Sequence, residues 1–212
     1  LGVLVVAGAG VAPPGACQAR PSPSGTVVTA ALTAQGTSER TFQWAISKTA
    51  LGTSTTATPL LPGDMGYVVA VDRLGYTEAG NVAGVVTVAN RGGEATEGLT
   101  IVVALQCRLP GSGGFQDVPG ATAEIGAPGQ LEPQESGSWP YSIPVTPEEG
   151  AVYRALATVT ITNHCGHLGE LFGPRARADF AFESPVLVND RVTVADDNNP
   201  EGWPVTATDD AT

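Results

Sequence analysis

The stretch Tyr153-Arg154-Ala155-Leu156-Ala157-Thr158-Val159-Thr160-Ile161-Thr162 decides the fold. Tyr153, Ala155, Ala157, Val159 and Ile161 occupy every second position, against Arg154, Leu156, Thr158 and Thr160. A period of two puts the first set on one face of a β-strand. The segment from Glu148 to Ala157 comes nearest in the chain to a helical spacing, yet Gly150 and the β-branched run Thr158 to Thr162 disfavour a helix and suit a strand.

The same period recurs outward in both directions. Leu99, Ile101, Val103 and Leu105 alternate with Thr100, Val102, Ala104 and Gln106. Val82, Gly84, Val86 and Val88 share a face, as do Tyr67, Val69 and Val71 in a separate strand before them. Phe42, Trp44 and Ile46 alternate with Gln43, Ala45 and Ser47, which makes Trp44 a core residue. Val186, Val188, Val192 and Val194 follow late in the chain. Turn signals separate these runs: Leu61-Pro62-Gly63-Asp64, Asn90-Arg91-Gly92-Gly93, Pro110 to Gly114 and Ala127-Pro128-Gly129. Many short strands at this spacing predict an all-β chain, an immunoglobulin-like or prealbumin-like β-sandwich. The expected organisation is an apolar strand plus Pro-rich linker over 1–25, the sandwich over 26–183, and the acidic opening strands of a second β module over 184–212.

Composition narrows the partners. The 212 residues carry a formal charge of −11, with one lysine, Lys48, beside nine arginines. Nucleic acid and anionic membrane surfaces call for clustered cations, so neither is expected to bind this chain. The charge is lopsided: residues 183–212 hold seven acids against Arg191.

Leu1 to Ala12 is apolar but too short to span a bilayer as a helix. It reads either as the tail of a secretory signal, with Ala7-Gly8-Ala9 as cleavage site, or as an ordered strand. The missing charged n-region favours the strand, with Leu1, Val3, Leu4, Val5 and Val6 available for exchange into a neighbouring subunit. Lacking an initiating Met and a closing turn, the chain reads as a piece of something longer.

Several constellations have the residue types of chemical sites. His164-Cys165-Gly166-His167 with Glu170 offers zinc or copper ligand types, but a structural zinc normally takes four ligands and no second cluster is present. Asp196, Asp197 and Glu201 supply oxygen ligands of the kind calcium takes, without the EF-hand spacing, and an acidic turn between strands is the plainer reading. No other cofactor is expected. Cys107 and Cys165 each end a strand and are expected to form a disulfide, leaving Cys17 free or bound to another chain. Lys48 suits a strand-end ion pair or, less simply, a cross-linking amine. Trp139 and Trp203 precede prolines and are open to an exposed, glycan-stacking role. The chain has no G-x-S-x-G, P-loop, G-x-G-x-x-G, H-E-x-x-H or Cys-x-x-Cys motif, and two nearby histidines without an identifiable acid pair do not favour acid–base catalysis. No enzyme activity is expected.

Three segments carry a family resemblance. Phe42-Gln43-Trp44-Ala45-Ile46-Ser47-Lys48 resembles an "aromatic-x-Trp-x-Ile-x-Lys" strand, and Val82 to Asn90 a "v-x-G-x-itv-x-N" strand. Tyr153 to His164 is similar to a strand that closes one module, before an opener like Ser184 to Asp196. All three resemble repeats of large secreted and cell-surface β-sandwich proteins of bacteria and some green algae. The resemblance implies an extracellular structural or adhesive array, with no catalytic residues to carry over. The expected function is a module of a surface layer, filament or appendage, with copies of itself or adjacent modules as partners; an adhesive module binding glycan or another surface protein is the alternative.

Overall fold

The computed structural model describes residues 25–50, 67–196 and 199–206, with side chains described for 25–50 and 67–195. These residues are all β: β1 Val28–Leu32, β2 Gln35–Ala50, β3 Tyr67–Asn90, β4 Thr100–Arg108, β5 Gln116–Glu124, β6 Ser136–Val145, β7 Val152–His164, β8 His167–Phe172, β9 Arg175–Phe180, β10 Val186–Val188, β11 Arg191–Asp196 and β12 Asn199–Thr206. One sheet runs β1-β3-β2-β10 with β6 also on β3; a second runs β5-β4-β7-β8 with β9 also on β7; β11 and β12 form a hairpin. Pairing is antiparallel apart from β10 on β2. The chain is thus a β-sandwich protein. Leu1, Val3, Leu4, Val5 and Val6, the Pro-rich linker and the Leu61-Pro62-Gly63-Asp64 turn lie outside the described residues.

Two compact units emerge. One combines the residues up to Ser38 with Ala79–Ser184; the other combines Glu39–Glu78 with the chain from Pro185. The first unit holds the core, and the deciding stretch lies at its centre: Tyr153, Ala155, Ala157, Val159 and Ile161 of β7 are all buried. They meet Ile101, Val103 and Leu105 of β4 from the same sheet and Val28, Leu32, Val82, Val86 and Val88 from the other. In-phase apolar faces of two sheets remove their surface from water together, which is the main stabilising term of this unit.

Gly84 departs from the Val82, Val86 and Val88 pattern for a reason of space. It pairs across strands with Tyr141 of β6, and a Cβ there would come within 2.0 Å of the Thr33 carbonyl oxygen. Tyr141 closes over this gap and donates its hydroxyl to the same Thr33 oxygen at 2.7 Å. Burial raises the Tyr141 hydroxyl well above its ordinary pKa of 10. Its neutral form is therefore favoured in the folded state, so its contribution is intact below pH 10 and is lost at higher pH, where the unfolded chain ionises first. Denaturation midpoints of the wild type are expected to fall as pH rises above 10, and those of Tyr141→Phe to fall less over the same range.

The second unit departs from the sequence reading. Tyr67 to Val71 and Val82 to Val88 are not separate strands but parts of one, β3, which passes Gly75 at φ +137°. Ile46 is 64% exposed, although it is in phase with the buried Phe42, and Trp44 is half-buried with its indole N–H donated to the Asn189 carbonyl at 2.7 Å. Phe42 meets the edge of Tyr76, and Arg40 lies on the Tyr76 ring at 4.2 Å while pairing with Glu78 at 3.0 Å. Here the alternation marks an aromatic and cationic face rather than an apolar interior.

Candidate functional site

The most unusual surface of the first unit is the turn between β7 and β8 and the edge beyond it. Gly166, at φ +84°, lets the chain reverse between His164 and His167, which pair across the hairpin. The register then slips between Ile161 and Asn163, with Gly169 at φ +83°. This bulge turns the side chains of β8 outward. Leu168, Leu171 and Phe172 are 42%, 68% and 40% exposed. Among the described residues β8 pairs only with β7, on one side of its backbone. Gly173 and Pro174 carry the chain into β9, the other strand on this side of β7, where Arg175, Arg177 and Asp179 point outward. Charge guards the β9 edge; apolar side chains mark the β8 edge.

The histidines serve this surface as rings. His167 stacks on Phe172 at 3.6 Å between centroids, and His164 meets the edge of Phe172 at 4.7 Å. His167 Nδ1 lies 3.5 Å from the exposed Glu170 carboxylate, and His164 Nδ1 lies 3.0 Å from the Cys165 carbonyl. Among the described residues no three His, Cys, Asp or Glu side chains gather to hold a metal ion. Asp197 and the side chains of Asp196 and Glu201 lie outside them; the backbones of Asp196 and Asn199 pair across the β11–β12 hairpin.

Beneath the turn lies a polar knot that the sequence reading took for turn residues and a strand end. Asn90 is fully buried at the end of β3. Its amide nitrogen donates to the carbonyls of Glu94, Leu131 and Glu132, and its oxygen accepts from the Gly92 N–H and the Thr26 hydroxyl. Asn163, at the end of β7, donates to the Ala95 carbonyl and accepts from the Glu97 N–H. The two asparagines hold the loop between β3 and β4 from opposite sides, which leaves the β7–β8 turn on a rigid base. Their signal in the sequence is an Asn ending each of two apolar strands.

The expected Cys107–Cys165 disulfide is not formed: Cys107 is a free thiol. Strand register gives the reason. Cys107 of β4 is opposite Tyr153 near the start of β7, whereas Cys165 follows the last residue of β7. Twelve residues of extended chain separate those levels, roughly 40 Å, far beyond the reach of a disulfide. Burial, then the Glu148 carboxylate, raise the Cys107 pKa, so the thiol stays protonated near neutrality and is a poor nucleophile.

A cleft of about 510 Å3 opens between β5 and β6, lined by Val118, Pro119, Ala121, Pro144, Val145 and Glu148. Glu148 is its one ionisable side chain and has no second acid or base beside it in that lining. Trp139 is not a free stacking face: it packs against the core and lies over Gly137, where a Cβ would meet the indole at 2.3 Å. The side chain of Trp203 lies outside the described ones. Lys48 Nζ sits 4.5 Å from the centre of the Tyr67 ring. No family model matches this chain, and no curated protein or solved structure gives a significant match to it.

Proposed function

We propose that this chain is a non-enzymatic, extracellular structural module that joins copies of itself or adjacent modules into a surface layer, filament or appendage. The observation that carries the reading is the β8 edge, which among the described residues has no strand beyond it and exposes Leu168, Leu171 and Phe172 beside a charged β9. An added strand gains main-chain hydrogen bonds from such an edge and pockets for alternate side chains. The occupant assigned is Leu1 to Val6 of a second copy: six apolar residues opposite a six-residue edge. Thr26 bridges to His164 at the same turn. An immunoglobulin-like or prealbumin-like arrangement of the sandwich belongs to the same reading.

Leu171 is largely exposed, so Leu171→Lys is expected to fold with an unchanged melting temperature while placing a charge on the edge. Sedimentation velocity of the wild type over a concentration series is expected to show multimers, and Leu171→Lys to be monomeric at about tenfold higher concentration. Wild type that stays monomeric throughout contradicts the proposal.

A further inference from the structure

We infer that the outward face of the sheet formed by β5, β4, β7 and β9 binds an extended acidic peptide along a diagonal stripe of four arginines, Arg175, Arg177, Arg154 and Arg108. Strand register builds the stripe. The buried residues of β7 and β9 alternate with these positions, so the arginines point away from the core. Arg175 and Arg177 of β9 stand opposite Thr158 and Leu156 of β7. Arg154 lies one pleat further along β7, and Arg108 lies one pleat beyond Gln106, the β4 partner of Arg154. Each step moves two residues along the strands and, after Arg177, one strand across, so neighbouring positions are roughly 7 to 8 Å apart. Four of the chain's ten Lys and Arg residues fall on this line.

Two of the four guanidinium groups are held in place. The Phe115 ring lies 4.0 Å from that of Arg154 and 5.2 Å from that of Arg108. Arg154 Nε donates to Gln106 at 2.7 Å, and Gln106 in turn donates to Asp117 at 2.7 Å. Arg108, Arg175 and Arg177 are exposed, and among the described residues none of the four arginines forms an ion pair. Their planar forks suit carboxylates, which accept two N–H bonds side by side. The outward acids of these strands, Asp117, Glu124 and Asp179, flank the line rather than lie on it. An extended peptide with an acid at every second residue repeats its carboxylates at about 6.7 Å, which matches the stripe, and its intervening side chains point away from the face. A nucleic-acid strand, charged at every unit, fits a cationic line between acids less well. Binding at this face does not depend on the assembly reading.

Calorimetric titration of the full chain with an eight-residue peptide alternating glutamate and threonine is the test. Saturable binding at low ionic strength is expected, weakening as salt is added, and the same peptide with glutamine in place of glutamate is expected not to bind. Arg177→Gln and Arg108→Gln, both at exposed positions, are expected to keep the melting temperature and to weaken binding by about threefold each and about tenfold together. Arg91→Gln, at an exposed arginine off this face, is expected to bind as the wild type does. No binding of the glutamate peptide, equal binding of the glutamine peptide, an unchanged affinity in the Arg177→Gln/Arg108→Gln double variant, or tighter binding of a single-stranded oligonucleotide each overturns the assignment.

Discussion

Gly84→Val is expected to cost more than 4 kcal/mol of stability, or to prevent folding, even though the new side chain suits a strand. At this position the Thr33 carbonyl lies 2.0 Å, and the Tyr141 ring 2.8 Å, from where a Cβ would stand. The Thr33 side cannot retreat cheaply, because Thr33 and Val85 exchange hydrogen bonds, Thr33 N–H to the Val85 carbonyl and Val85 N–H to the Thr33 hydroxyl, both at 3.0 Å. Tyr141 cannot swing away without leaving the Thr33 oxygen without its donor. Urea denaturation of Gly84→Val against Ala83→Val separates the causes. The Ala83 site is exposed and is expected to change by less than about 0.5 kcal/mol.

Asn90→Ala is the second large effect, expected at about 3 to 4 kcal/mol, or roughly 10 °C in melting temperature for a protein of this size. Alanine removes both ends of the knot at once. The Leu131 and Glu132 carbonyls keep the Thr96 and Glu135 N–H donors but lose a second one, while the Gly92 N–H and Thr26 hydroxyl lose an acceptor. Buried groups left without partners lose their hydration with no return. Asn90→Asp tests this account further. It keeps the acceptor oxygen but loses the donor pair, and it buries a charge, so it is expected to be at least as destabilising as alanine. Thermal melts of the two variants check the order.

The core of the first unit was legible because burial on one face leaves a period-two trace. Tyr153 to Ile161, Ile101 to Leu105 and Val82 to Val88 all face inward as their spacing predicts. The same period failed at Ile46, Tyr67 and Val69, which are exposed. Alternation reports that two faces differ, not which one is covered. The misplaced disulfide has a related cause. Cys107 and Cys165 both end strands, but antiparallel pairing of β4 and β7 puts those ends on opposite sides of the sheet, and register is a long-range property. The polar knot was missed because Asn90 followed by Arg91-Gly92-Gly93 has the composition of a solvated turn. Only the approach of Thr26 and Leu131, distant in sequence, makes it a buried junction.

The edge strand β8 has little signature of its own. His167-Leu168-Gly169-Glu170-Leu171-Phe172 reads as a loop carrying metal-ligand types, because Gly169 within it and Gly166 just before it break the alternation. The bulge that hides the strand from the sequence is what turns Leu171 outward. In the assembly reading the edge and its exposed apolar residues act together: main-chain groups offer affinity, and Leu168 and Phe172 offer the contacts that set register.

Electron microscopy of the purified chain tests assembly most directly. The account predicts linear or layered particles that are absent in Leu171→Lys preparations of equal stability and concentration. A field of single, uniformly monomeric particles from the wild type, at every concentration, contradicts it.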